Sequence, residues 1–240
     1  MRFDLRRIIT QAFFRPGLLG LLINPFYLAR RGLFRHVRAI APGFTGTVVD
    51  IGCGSKPYRP LFAHARYYGL EVDTPEIRDH HRADVLHDGQ RLPLDDDSCD
   101  GAVSFEVLEH VFDPQSFLAE MRRVLKPGGQ LLLTTPFVWD EHEQPIDFAR
   151  YSSFGLRHLL ERHGFQVVEH HRIGNDLSVV FQMFNCYLYK KLFGRSPVLN
   201  LVRAAILTAP VNLVGLVVAA LAPRNDDLYL DNLVVARKLA

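Results

Sequence analysis

Short apolar runs alternate with stretches of helical spacing along most of this chain. Runs near 47–51, 67–72, 100–105 and 130–135 are bounded by Gly, Asp or Pro and predict strands, with a short strand near 82–85 and further strands at 165–171 and 231–237. Asp113 is a helix N-cap with Pro114 at the first helical position, so a helix is expected to run from there to just before Lys126-Pro127-Gly128-Gly129. The double glycine of that run is expected to turn the chain into the next strand. Ser152-Ser153 precede a second helix, which Gly164 stops near His163. Strand–helix alternation of this kind predicts an α/β fold, with a doubly wound, mostly parallel sheet joined by right-handed crossovers.

Two segments depart from the alternation. In residues 1–46, arginines are interleaved with apolar side chains, among them Phe3, Leu5, Ile8, Ile9, Phe13, Phe14 and the Leu18–Ile23 run, and Pro16-Gly17 and Asn24-Pro25 break the segment into short helices. This predicts a basic amphipathic helical cap (1–46) ahead of a main domain (47–240). The 18–23 run is too short to span a bilayer. Within the main domain an insertion at about 173–228 holds a helical stretch near 176–193 and a strongly apolar one from Val198 to Ala222, which Pro210 is expected to interrupt. After Val211 the apolar residues cover every helix face, so the segment must be buried against protein, a second copy of the chain or lipid. A lone span would strand the final β-strand across the bilayer. A hydrophobic lid or a hairpin dipping into one leaflet avoids this.

Composition narrows the partners. A chain of 240 residues can bury a sizeable core. Its three cysteines, Cys53, Cys99 and Cys186, lack ligand spacing and suit a reducing cytoplasm. His80-His81 and His170-His171 stand in polar surroundings and read as surface pairs, so no metal site is expected. Residues 1–46 hold eight arginines against one acid, a charge of +7, so the remaining residues carry −5 of the overall +2. A basic head on an acidic body argues against a nucleic-acid groove, while an anionic membrane surface is a partner the head could meet.

The chemistry starts at Val48-Val49-Asp50-Ile51-Gly52-Cys53-Gly54, where an apolar run ends on Asp50 and two glycines open a turn whose main-chain N–H groups can approach a ligand. Glu71 stands about 20 residues after that turn, the distance at which doubly wound folds set a carboxylate on a ribose. Asp73 is the runner-up, two residues past the expected strand end. Pro57 takes the place of the third glycine of a dinucleotide fingerprint, which disfavours a pyrophosphate and leaves an adenosyl ligand.

In order along the chain stand Asp-Ile-Gly-Cys-Gly, Glu71, Ala-Asp-Val at 83–85, Leu-Pro-Leu at 92–94, the segment 99–111 ending Glu-Val-Leu-Glu-His-Val, and Arg-Val-Leu-Lys-Pro-Gly-Gly at 123–129. This series resembles the class I, seven-stranded S-adenosylmethionine-dependent methyltransferases over residues 46–172. Gly-Ser-Lys-Pro-Tyr-Arg at 54–59 and the 141–151 segment are similar to a bacterial small-molecule group, methyltransferase type 11. The resemblance implies a seven-stranded, Rossmann-like sheet with helices on both faces and S-adenosyl-L-methionine as cofactor. It further implies Asp50, Gly52 and Gly54 at the methionine end, Glu71 on both ribose hydroxyls, Asp84 with the Val85 main chain at the adenine, and Phe105 and Glu106 lining the methionine side.

Methyl transfer needs a base only when the acceptor is not already nucleophilic. His110 and His142 follow strands whose carboxyl ends face the cleft and are the candidate bases. His142 shares its loop with Glu141, Glu143, Asp147, Arg150 and Tyr151, a substrate-facing set, although Asp147 and Arg150 could simply pair. The Lys56-Pro57-Tyr58-Arg59 run is a candidate for an anionic substrate group. These features together imply a methyltransferase for a small-molecule or lipid-linked acceptor, with O-methylation favoured, cytoplasmic or peripheral to the inner face of the membrane. A methyltransferase of a polysaccharide or quinone-like precursor is the alternative within the class. Outside it stands a catalytically silent adenosyl-binding scaffold subunit. A homodimer would also cover the apolar insertion.

Overall fold

The computed structural model describes residues 12–74 and 83–240, so Phe3, Leu5, Ile8, Ile9 and the His80-His81 pair lie outside the described residues. Among the described residues seven strands form one sheet: β1 (Gly46–Ile51), β2 (Ala65–Val72), β3 (Val85–His87), β4 (Cys99–Phe105), β5 (Leu125–Pro136), β6 (Phe165–Ile173) and β7 (Asp231–Lys238). Their order is β3-β2-β1-β4-β5-β7-β6. Strands β1 to β5 pair in parallel, with Asp50 opposite Gly69 on one side and Val103 on the other. Leu230 N bonds Ile173 O and Leu239 N bonds Gly164 O, each at 2.9 Å. As one strand number rises the other falls, so β6 and β7 are antiparallel and the sheet is mixed. Strand order reverses between β1 and β4, and ligands of open α/β sheets bind outside the carboxyl ends at such a switch point.

The chain divides into two compact units, residues 37–137, 141–171 and 232–240 in one and 1–36, 138–140 and 172–231 in the other. In the sheet unit, Val49, Ile51, Leu131, Leu133 and Val234 form the core with Leu118, Met121, Leu156 and Leu160. The last four come from the helices Pro114–Val124 and Ser153–Arg162. Asp113 caps the first of these, accepting from the amides of Gln115 and Ser116, and the Ser152 hydroxyl caps the second. The Lys126–Gly129 run is not the expected helix-to-strand turn. Leu125 already pairs with Cys99 before Gln130 pairs with Gly101, so the four residues bulge out of β5.

The helical unit contains α1 (Leu18–Ile23), most of α2 (Tyr27–Ile40), α5 (Ser178–Leu192), α6 (Pro197–Arg203) and α7 (Ala209–Leu221), α3 and α4 being the two sheet-unit helices. Residues 12–36 group with 138–140 and 172–231 in this unit. Buried amides join them. Gln182 donates to Pro25 O at 3.1 Å and accepts from Ala29 N, and Asn212 donates to Asn24 O at 3.0 Å and Leu21 O at 3.2 Å while accepting from Asn185. Each gives polar groups to main-chain atoms between residues 21 and 29. Pro210 does not break the apolar segment: a π-turn at Ala204–Thr208 widens the helix just before it, and proline falls in the first turn of α7. The run Pro197–Leu221 is long and apolar enough to cross a bilayer by length and composition, and 28% of its most apolar window is buried.

Candidate cofactor and acceptor site

At the carboxyl end of β1 the chain turns through Gly52 (φ +76°) and Gly54 (φ +47°), both in the left-handed region. A Cβ on Gly52 would meet Val107 Cγ2 at 2.5 Å, whereas one on Gly54 would meet nothing within 4 Å among the described residues. Gly52 is thus required by packing, and Gly54 presents bare backbone to open space, as close approach by a ligand demands. Glu71, near the end of β2, accepts from Gly54 N at 2.7 Å and from Val72 N at 3.2 Å. An ionised carboxylate has about four acceptor sites, so capacity for two ribose hydroxyls remains. Asp73, beyond the strand, sends its amide to His87 O instead.

Asp50 is buried and pinned by the Tyr67 hydroxyl, while its Oδ1 has no hydrogen-bond partner among the described residues. Burial pushes its carboxyl up to about 7, against the pull of the Tyr67 hydroxyl. A buried acid with one oxygen unpartnered is what an ammonium or a water bound beneath the turn would satisfy. Its environment therefore fits the methionine end of the cofactor.

Asp84 and Val85 do not stand where the sequence reading put them. Strand β3 begins at Val85 and ends at His87, about three residues later than expected, so Asp84 lies at its amino end. Its oxygens are engaged by Gly69 N at 2.7 Å and Lys56 Nζ at 2.8 Å. Burial raises the Asp84 pKa, but these partners outweigh it and hold the carboxyl below its ordinary value. The acid past the carboxyl end of β3 is Asp88, exposed, with Oδ1 accepting from the amides of Gln90 and Arg91 at 2.9 and 3.0 Å. A strand ending on an acid followed by glycine was the signal available for it. The 56–59 run is likewise committed in part: Lys56 pairs with Asp84, and Tyr58 is buried with its ring 4.6 Å from that of Phe105.

Phe105 ends β4 within this aromatic cluster, and Glu106 follows in a left-handed conformation (φ +56°), its amide shared between Thr134 O and Oγ1. Strain of this kind in a non-glycine residue concentrates at functional sites. A 3₁₀ turn, Leu108–His110, then brings the two candidate bases together: the rings of His110 and His142 stand 4.7 Å apart, edge to face. His110 Nδ1 lies 2.6 Å from Ile146 O, which fixes the proton on that nitrogen. Asp147 Oδ2 accepts from His142 N at 2.9 Å and lies 3.4 Å from His142 Nδ1. Arg150 and Asp147 do pair, through two contacts at 2.6 and 2.8 Å, and the guanidinium holds the Asp147 carboxyl well below the usual range. Sequence reasoning missed Glu109, fully buried beneath the histidines with Thr135 donating to Oε2 at 3.2 Å. Burial pushes its carboxyl well above the ordinary range, and Glu106 adds to the shift. Phe112, Ile146 and Phe148 are exposed on the same loops, the two phenyl rings 5.3 Å apart.

Residues 49–133 match the family described as a methyltransferase domain. A probable S-adenosylmethionine-dependent methyltransferase of Mycolicibacterium smegmatis is 34% identical over 133 residues, covering 50% of this chain and 52% of its own length. An uncharacterized methyltransferase of Mycobacterium ulcerans is 35% identical over 159 residues, 60% of this chain and 58% of its own length. The chain thus spans about half the length of the curated relatives it matches. A solved S-adenosylmethionine-dependent methyltransferase from Mesorhizobium loti has a TM-score of 0.54 at 18% identity, covering 86% of this chain and 98% of that one, and shows the same fold. Residues 49–133 thus match a methyltransferase domain, and over about half its length the chain is similar to an S-adenosylmethionine-dependent methyltransferase.

Proposed function

We propose that the chain methylates an oxygen of a small-molecule or lipid-linked acceptor, working in the cytoplasm or at the inner face of the membrane. The carrying observation is the His110–His142 pair, bordered by the exposed Phe112, Ile146 and Phe148 beyond the carboxyl ends of β4 and β5. Bound at the switch point, S-adenosylmethionine supplies an electrophilic methyl group on a sulfonium, so the reactivity is the cofactor's. Glu71 would accept the ribose hydroxyls, Asp88 would face the adenine side, and Asp50 with the Gly52–Gly54 turn would hold the methionine end, lined by Phe105 and Glu106. His142, oriented by Asp147, would take the acceptor's proton, and the apolar rim would seat its hydrophobic part and exclude water.

The helical unit supports the lipid-linked form of this reading. Leu18, Leu22, Val198, Ile206 and Leu221 are half or more exposed, an apolar surface beyond what a crossover helix needs. Arg15 and Arg35 are exposed in the same unit, with charge suited to anionic headgroups. Incubation with methyl-labelled cofactor and a lipid and metabolite extract tests the proposal. A labelled, ether- or ester-type product is expected; label confined to nitrogen, to protein or to nothing would overturn it.

A further inference from the structure

We propose that Glu109, His110 and His142 form a binding site for one divalent transition-metal ion. One carboxylate oxygen and one ring nitrogen from each histidine lie within 4.8 Å of one another. Glu109 is fully buried, and its Oε1 has no hydrogen bond among the described residues while facing His110 Nε2 at 3.9 Å. A buried acid oxygen left without a partner beside an imidazole is costly, and a cation bound between them would satisfy both. Holding the loop does not require it. The tether is already made by Phe148 N to Glu109 O at 2.8 Å and by His110 Nδ1 to Ile146 O.

The surroundings of the two rings have the form that metal-binding histidines take. A ligating imidazole gives its other N–H to a carbonyl or a carboxylate, which fixes the ring and strengthens the donor. His110 has Ile146 O at 2.6 Å from Nδ1, which leaves Nε2 for the ion. His142 has Asp147 Oδ2 at 3.4 Å from Nδ1. Arg150 Nη2 lies 3.5 Å from the same nitrogen, and in the tautomer with the proton on Nδ1 that N–H faces the Asp147 carboxylate while Nε2 is the ligating nitrogen. Two imidazoles and one carboxylate suit zinc, iron, cobalt or manganese rather than calcium or magnesium, with coordination positions left open. Metal–ligand bonds of about 2.0–2.2 Å would draw the donors together by about 1 Å. His142 sits in a loop and His110 ends a 3₁₀ turn, where such adjustment is cheap. Exposed Glu143, its Oε2 3.7 Å from His110 Nε2, can close the solvent side.

In its consequence the inference rests on the methyltransferase reading: with an ion bound His142 is a ligand and not the base, and an acceptor oxygen at an open position would be polarised and give its proton to Glu143 or water. Acceptors with a hydroxyl beside a second oxygen would then be favoured. The site itself is tested without any acceptor, so the two claims fail separately. The full chain, stripped by a chelator, is titrated with Co²⁺ alone and followed by visible absorption and by calorimetry. Saturation at one ion per chain is expected, and at least about tenfold weaker binding in His142→Ala, His110→Ala and Glu109→Gln. S-adenosylmethionine binding by each variant reports that it remains folded; should His110→Ala lose the fold, His142→Ala and Glu109→Gln decide. Absence of saturable binding, or Co²⁺ affinity unchanged in the folded variants, would overturn the proposal.

Discussion

The Glu71 carboxylate accepts the Gly54 amide proton at 2.7 Å, tying the turn after β1 to the end of β2. The two elements proposed to meet an adenosyl ligand are therefore positioned against each other by a charge-assisted hydrogen bond. The glycines of that turn serve different ends, which two substitutions separate. Gly52→Ala forces a Cβ to within 2.5 Å of Val107 and should destabilise the fold by roughly 3 kcal/mol or more. Gly54→Ala meets open space and should cost only about 1 kcal/mol, yet weaken cofactor binding. Denaturation midpoints and calorimetry together check this; equal loss of stability in both variants would contradict it.

Asp50 should make stability pH-dependent. Its carboxyl is raised from 3.8 to about 7 by burial, so the folded state favours the proton. That contribution is full below about pH 4 and is lost as pH rises through 7. The difference corresponds to at most roughly 4 kcal/mol. Asp50→Asn, which still accepts from Tyr67, should lack this dependence, so wild type should fall relative to the variant between pH 4 and 7.5 in denaturant titrations. Parallel profiles would show that Asp50 is not protonated when buried.

His142 is expected to act on the acceptor and not on the cofactor. His142→Ala should lower turnover by about 10²–10⁴, the usual contribution of a positioned base, with cofactor affinity within a few-fold. Equal loss of both would make it a structural residue.

The parts of the fold and site that were legible are those fixed locally. Strand runs, the Asp113 and Ser152 caps and the glycine turn follow from positions that tolerate few residue types. Glu71 was legible for the same reason, since spacing from the turn carries it to the end of β2. The error at Asp84 has a simple origin: β3 is only three residues long, and a shift of that length exchanges its amino and carboxyl ends. Glu109 could not be read, because a buried carboxyl beneath two histidines is set by packing between loops 36 residues apart at His110 and Ile146. The joining of head and insertion was equally hidden, since it depends on Gln182, Asn185 and Asn212, three amides in apolar surroundings.

Those amides give a stability prediction. Asn212→Ala would leave Leu21 O, Asn24 O and Asn185 unmet in a fully buried place and should cost roughly 2–4 kcal/mol. Chemical denaturation followed by circular dichroism measures it; a change below about 0.5 kcal/mol would mean that the network adds nothing.

The exposed apolar and basic surface of the helical unit should bind anionic liposomes at low salt, with attraction of about 1 kcal/mol per arginine near the surface. Flotation that falls with added salt is the expected outcome. No association at low salt would leave a dimer contact or an intramolecular lid as the use of that surface.

Calorimetric titration of S-adenosyl-L-methionine into wild type and Glu71→Ala tests the central claim most directly. Wild type should bind one equivalent, and the variant should lose about 1.5–3 kcal/mol, roughly ten- to a hundredfold in affinity. Absence of binding by wild type, or the same affinity in both proteins, would contradict the assignment of this site.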